Sequence, residues 1–155
     1  MKYHFLRSYS KINLFLDVGE KDKKTRLHNI QSLIFIINLH DEIKIKRING
    51  TKDIIKFSGI FAKHVKKKDN SILKSFSLLR NMGCIKRGFN YHVEIKKKIP
   101  AFSGLGGGSS NSATIIKYFL GRKKTSKENL NYFSKILGSD LKLFFQSNQI
   151  FQKNL

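Results

Sequence analysis

The sequence predicts an α+β domain. Three observations carry that expectation. Period-two apolar alternation dominates the early chain, helical spacing dominates the later chain, and the two do not alternate as a regular βαβ series. With 155 residues, 40% of them hydrophobic, the chain is long enough for one ordinary domain with its own core.

In order, Ile12, Leu14, Leu16 and Val18 share one face of a strand over Ile12–Gly19, and a charged loop, Glu20–Arg26, follows. An apolar run from Ile30 to Leu39 and an alternating segment from Glu42 to Ile48 both read as strands. Asn49-Gly50 marks a turn before a short strand over Asp53–Gly59. From Asn70, Ile72, Leu73, Phe76 and Leu79 recur at helical spacing, with Gly83 as the stop. Phe89, Tyr91, Val93 and Ile95 return to alternation, and that strand should end before Pro100, which has no N–H for a ladder. Ala113–Leu120 reads as an apolar helix. Thr125 and Glu128 form a capping box for a further helix carrying Leu130, Phe133, Ile136 and Leu137, closed by Gly138. The final stretch, 141–155, holds a strand-like apolar run with no closing turn chemistry, the pattern of an incomplete unit.

Thirty-one Lys and Arg against 10 Asp and Glu give a net charge of +21. Such a surface suits polyanions: nucleic acid, acidic lipid or phosphorylated small molecules. A codon bias toward Lys, Asn and Ile yields the same composition, so charge alone does not choose a function. Cys84 is the single cysteine, which excludes an internal disulfide and fits a reducing compartment; it is a packing residue or a reactive thiol. The N-terminus has no signal-peptide pattern. No apolar run approaches the ~20 residues of a membrane span, Ser32–Leu39 being the most apolar window. A cytoplasmic protein is expected.

The segment KKKIPAFSGLGGGSSNSAT, Lys96–Thr114, holds the only proline and four of the 11 glycines. It is no Walker loop, because Ser109 stands where the lysine belongs. Nor is it a dinucleotide fingerprint, since the acid near the required distance, Glu128, opens a helix. A linker is excluded by the strand and helix that bracket it. Two readings remain: an anion nest of backbone N–H groups at a helix start, or a turn that lets strand and helix pack closely.

The same segment resembles the ATP-binding motif of the GHMP kinase superfamily, Pro-x-x-x-Gly-Leu-Gly-Ser-Ser-Ala and its variants. The extended form, IPxxxGLGGGSSNxAT, is similar to one branch, the kinases of the non-mevalonate isoprenoid pathway that act on a cytidine-diphosphate sugar alcohol. SYSKINLFL, Ser8–Leu16, resembles that branch's A-K-x-N-L-F-L signature, and ILGSDLKLFF, Ile136–Phe145, its G-A-D-V-P-x-F signature. HNIQSL and KKDNSIL stand where the branch has its H-x-L-x-S/T and D-N-L-I segments.

The resemblance implies a fold and a set of roles. The fold is a GHMP kinase N-terminal domain of the ribosomal protein S5 domain 2-like group. It would cover 1–155, be truncated at its C-terminal end, and lack the ferredoxin-like second domain of complete members. The implied activity is ATP-dependent phosphorylation of the 2-hydroxyl of the sugar alcohol, with Mg²⁺. Pro100, Ser103, Gly104, Leu105, Gly106, Gly107, Gly108, Ser109, Ser110 and Asn111 would bind ATP, together with Asn70, and Ser109 or Ser110 would ligate Mg²⁺. Lys11 and Asp140 would be catalytic, Asp140 as general base and Lys11 as its partner, while Asn13 and His28 would bind substrate. Read without the resemblance, Lys11 is an edge-strand lysine, Asp140 an exposed turn residue, and Asn70 and Asn111 are helix caps.

The chain departs from the branch at Leu27, where an aromatic usually stacks on cytosine, at Tyr9-Ser10, and at Lys142, which replaces a proline. Two other functions stay in view: another GHMP small-molecule kinase, and an RNA-binding protein of S5-like fold. Lysine runs at 66–68 and 96–98 suit phosphate contacts, although both read as solvated surface and the aromatics fall on core faces.

Overall fold

The computed structural model describes residues 2–21, 28–65, 70–121, 125–146 and 148–153. Its frame is a five-stranded sheet built around one long strand. β1 (His4–Lys21) and β2 (His28–Ile48) pair antiparallel along most of their length. On its other edge β2 pairs with two shorter strands in tandem. The stretch Glu42–Ile48 meets β4 (Asn90–Lys96), and Gln31–Phe35 meets β5 (Gln149–Lys153), both antiparallel. β3 (Ile54–Ser58) adds to β4 in parallel.

Three helices, α1 (Ser71–Asn81), α2 (Gly107–Leu120) and α3 (Lys127–Leu137), cover the sheet face that carries Ile43, Ile45, Val93 and Ile95. Against these pack Ile72, Phe76 and Leu79 from α1, Ile115 and Ile116 from α2, and Phe133 from α3. Each such side chain, fully withdrawn from water, contributes about 1.5–3 kcal/mol. The half-buried Cys84 packs against this cluster, its Sγ 3.7 Å from Met82 O, which fits the packing role. No helix among the described residues is long and apolar enough to cross a membrane.

Several expectations shift. The two strands expected over 30–48 are one strand. Tyr9 pairs with His40 while Ser10 pairs with Ile37, so Asn38 and Leu39 are looped out as a bulge that absorbs the change of alternation phase. β1 starts at His4, well before Ile12. The face of Leu14, Leu16 and Val18 lies uncovered at 62%, 54% and 55% exposure, because the described helices do not reach the outer part of the β1–β2 hairpin. α2 begins at Gly107 rather than Ala113, so two glycines lie within its first turn. The cap of α3 is Ser126, not Thr125: Ser126 Oγ accepts from Asn129 N at 3.2 Å, while Thr125 Oγ1 donates back to Gly121 O. Adjacent hydroxyls compete for a cap, and only the backbone path decides between them.

Candidate active site

Pro100 ends β4's extension, and the chain then turns through Gly104 and Gly106 at φ of 74° and 71° before α2 starts. This loop docks on β1, where Lys11 N donates to Leu105 O at 3.0 Å. A Cβ at Gly106 would stand 2.9 Å from the Phe144 ring and 3.2 Å from Lys11 Cγ, and one at Gly107 would stand 3.0 Å from Ile99 Cγ2. These two glycines are therefore demanded by packing. Gly108 differs. A Cβ there meets only Ser71 Oγ at 3.7 Å, an ordinary contact, and the residue lines a cavity.

That cavity, about 400 Å³, is bordered by Asn70, Pro100, Gly106, Gly108, Ser109 and Asn111 among others. The helical ladder of α2 begins with Ser110 N donating to Gly106 O at 2.8 Å, and no side chain caps the turn before it. The N–H groups of Gly107, Gly108 and Ser109, with the positive end of the helix dipole, open onto the cavity these residues line. Asn111 is 3% exposed, and its Oδ1 is buried without a hydrogen-bond partner among the described residues. A buried orphan acceptor on a cavity wall asks for a ligand donor. Asn70 borders the same space and also caps α1, accepting from Ile72 N and Leu73 N at 3.1 Å each.

A second cavity of about 520 Å³ lies on the other side of the loop, lined by Lys11, Asn13, Leu16, Ser103 and Ser139. Asp140 borders both. It sits in the 3₁₀ turn Ser139–Phe145 directly after α3's closing Gly138, its side chain 42% exposed. Lys11 Nζ lies 3.7 Å from Asp140 Oδ2 and donates to Asn13 Oδ1 at 2.7 Å. Asn13 in turn donates to Ser32 Oγ at 2.6 Å, whose hydroxyl reaches Phe15 O at 2.8 Å. The chain of bonds orients Asn13 and the lysine, while Asp140, partly exposed, borders the cavities. Lys11 is thus no solvated edge lysine: it is 8% exposed beneath the loop.

The structure brings together Lys11, Asn13, Asp140 and the glycine loop. Ser110 points elsewhere, since its hydroxyl is engaged with Ser8 Oγ at 2.7 Å and with Tyr9 O beneath the sheet-facing side of α2. Ser109 is therefore the hydroxyl of the two that lines the cavity. Ser8 and Ser10 are fully buried, which accounts for small residues at the position where the related motif has alanine. His28 stands apart, at the outer end of the hairpin, exposed and 3.1 Å from Gly19 O. Six residues of β2 separate it from Ile34, Asn13's cross-strand partner. At the usual rise of a strand that is about 20 Å. Leu27 and the 66–68 lysine run lie outside the described residues.

Sequence reasoning missed Lys97 and Asp41. Lys97, read as part of a solvated run, is 5% exposed and its Nζ is bonded to Asp41 Oδ2. The signal was present: alternation carried on from Val93 and Ile95 puts Lys97 and Ile99 on the inner face.

Residues 70–141 match the family model of the GHMP kinases N terminal domain. The chain superposes on a solved 4-(cytidine 5'-diphospho)-2C-methyl-D-erythritol kinase with a TM-score of 0.73 at 22% identity, over 97% of this chain and 52% of that one. It has the GHMP kinase N-terminal fold. The same GHMP fold superposes on L. major mevalonate kinase in complex with R-mevalonate, with a TM-score of 0.61 at 15% identity, over 96% of this chain and 51% of that one. In sequence the chain is similar to curated proteins named 4-diphosphocytidyl-2-C-methyl-D-erythritol kinase. The Pelagibacter ubique protein is 39% identical over 138 residues, 88% of this chain and 48% of the relative. The chloroplastic protein of Mentha piperita is 35% identical over 147 residues, 90% of this chain and 34% of the relative. The chain spans about half the length of most of the curated relatives it matches.

Proposed function

We propose that the chain binds ATP in the glycine cradle and transfers its γ-phosphoryl group to the 2-hydroxyl of 4-diphosphocytidyl-2-C-methyl-D-erythritol, in non-mevalonate isoprenoid synthesis. The observation that carries this reading is Asp140, paired with Lys11 on the border between an anion-ready cavity and a second, acceptor-sized one. The names of its relatives support the choice of acceptor.

In this reading residues 1–155 form the ATP-binding domain. The N–H groups of Gly107, Gly108 and Ser109 hold the phosphates, and the orphan Asn111 Oδ1 accepts from the nucleotide, with Asn70 beside it. Asn13 orients the acceptor in the second cavity, and His28, far out on the hairpin, meets the cytidine end of an elongated substrate. Asp140 takes the 2-hydroxyl proton as that oxygen bonds to the γ-phosphorus. The bond from phosphorus to the β–γ bridging oxygen breaks, and ADP leaves. Lys11 meets the negative charge on the attacking oxygen.

Mg²⁺ neutralises charge on the triphosphate when bound. The residues present fit a metal carried by the nucleotide rather than one held in a protein cage. No group of three or more His, Cys, Asp or Glu suited to a metal occurs among the described residues, and Ser109 is the hydroxyl on the cavity wall. The lone, half-buried Cys84 is in keeping with a reducing, cytoplasmic setting.

The test is ADP release that depends on the acceptor. Release with the cytidyl-erythritol substrate, and none with homoserine or mevalonate, is expected. Release with either of those instead, or with no acceptor preference, contradicts the proposal.

A further inference from the structure

Asp41 lies on β2, which pairs on both edges, and is 0% exposed. A buried carboxylate is costly unless every lone pair is matched, and here the matching is thorough. One oxygen accepts from Lys97 Nζ; the other accepts from Lys98 N at 2.7 Å and Ile99 N at 2.9 Å. The carboxylate therefore clasps three consecutive residues at the exit of β4.

Lys97 is also gripped from behind. Lys97 N donates to Ser58 O at 2.7 Å, and Gly59 approaches so closely that a Cβ there would stand 2.5 Å from Lys97 O. Lys97 and Ile99 are also the surface against which α2 begins. Ile99 is fully buried against Gly107, and Lys97 Nζ stands 3.4 Å from the place a Gly107 Cβ would occupy. Gly107 supplies one of the N–H groups of the cradle. Asp41 lines neither cavity, while Lys97 borders the nucleotide cavity, and two of the three residues that Asp41 bonds, Lys97 and Ile99, pack where Gly107 lies.

We propose that Asp41 and Lys97 are a positioning pair for the nucleotide cradle. Held by the carboxylate, residues 97–99 set the first turn of α2 at the spot where its N–H groups converge on phosphate. Loss of either charge lets that segment relax and spreads the donors. The inference rests on the ATP reading, and its effect is read at the nucleotide: neither Asp41 nor residues 97–99 line the acceptor cavity.

The experiment titrates ATP onto wild type, Asp41→Asn, Lys97→Met, and the core variant Leu79→Ala, chosen as a stability-matched control because Leu79 is fully buried in α1 away from the loop. Asp41→Asn is the milder change, since the amide oxygen still serves Lys98 N and Ile99 N. The expected result is an ATP Kd raised about tenfold in both pair variants and unchanged in Leu79→Ala, with the acceptor KM within about twofold of wild type throughout. The double variant should bind ATP no worse than the poorer single one. Wild-type affinity in both pair variants overturns the proposal, and so does an equal loss in Leu79→Ala, which marks general softening. Wild type that fails to bind ATP overturns the kinase reading and this inference with it, whereas tight wild-type binding with unaffected variants overturns the inference alone.

Discussion

Two lysine–aspartate pairs stand beside the glycine cradle, and they are built in opposite ways. Lys11 and Asp140 are separated by 3.7 Å, and the aspartate side chain is 42% exposed with two cavities before it. Asp41 is fully buried, bonded to Lys97 Nζ and to two backbone N–H groups. A carboxylate that must accept a proton from a ligand needs free lone pairs and access. One that holds a backbone in place needs neither, and is ruined by a vacancy. Residue type and pairing are the same; saturation separates the jobs.

Breaking each pair should therefore have opposite signatures. Lys11→Met is expected to lower kcat about 10²–10³-fold, the usual cost of one charge-stabilising donor, with only a small change in melting temperature. Lys97→Met should do the reverse. It strands a buried carboxylate and should cost about 3–5 kcal/mol in urea unfolding, with turnover at saturating ATP reduced far less than in Lys11→Met. If urea midpoints fall equally in both, the contrast fails.

The cradle's glycines sharpen the same distinction between packing and binding. Gly106→Ala faces a left-handed φ and the Phe144 ring, so it should destabilise the fold. Gly108→Ala has room and lies in the first turn of a helix, so it should stabilise by up to about 1 kcal/mol. Its methyl group nonetheless enters the cavity, and the KM for ATP should rise. A Gly108→Ala protein of unchanged KM would remove Gly108 from the phosphate site.

The smallest effect concerns α3. Its own backbone N–H, then the Ser126 hydroxyl, holds the Glu128 carboxyl below the ordinary range. A folded-state pKa below the unfolded one adds stability above the unfolded value, and that stability is lost as pH falls through the folded value. Glu128→Gln should thus be slightly less stable than wild type at neutral pH, with the two converging in acid, as followed by thermal melts from neutral pH down to about one unit below the ordinary glutamate value.

Much of this site was legible in the sequence. The glycine run, Lys11 and Asp140 stand out by their motifs and the structure brings them together, and the strands and helices follow from alternation and spacing. What escaped notice has physical reasons. Lys97 hid in a lysine run because composition suggests solvent, although the parity of β4 turns it inward. β2 looked like two strands because a bulge at Asn38 and Leu39 resets the phase. The exposure of Leu14, Leu16 and Val18 could not be read because alternation identifies a face and says nothing of what covers it. The early start of α2 at Gly107 defied propensity, since the left-handed Gly106 and the contact with Ile99 outweigh glycine's poor helix preference.

The central claim is that Asp140 accepts the acceptor's proton beside ATP held by the cradle. Asp140→Asn, assayed with the cytidyl-erythritol substrate while ATP affinity is measured in parallel, tests it most directly. Turnover reduced about 10²–10⁴-fold with ATP affinity within twofold of wild type is the predicted result. Turnover that persists in Asp140→Asn would contradict it.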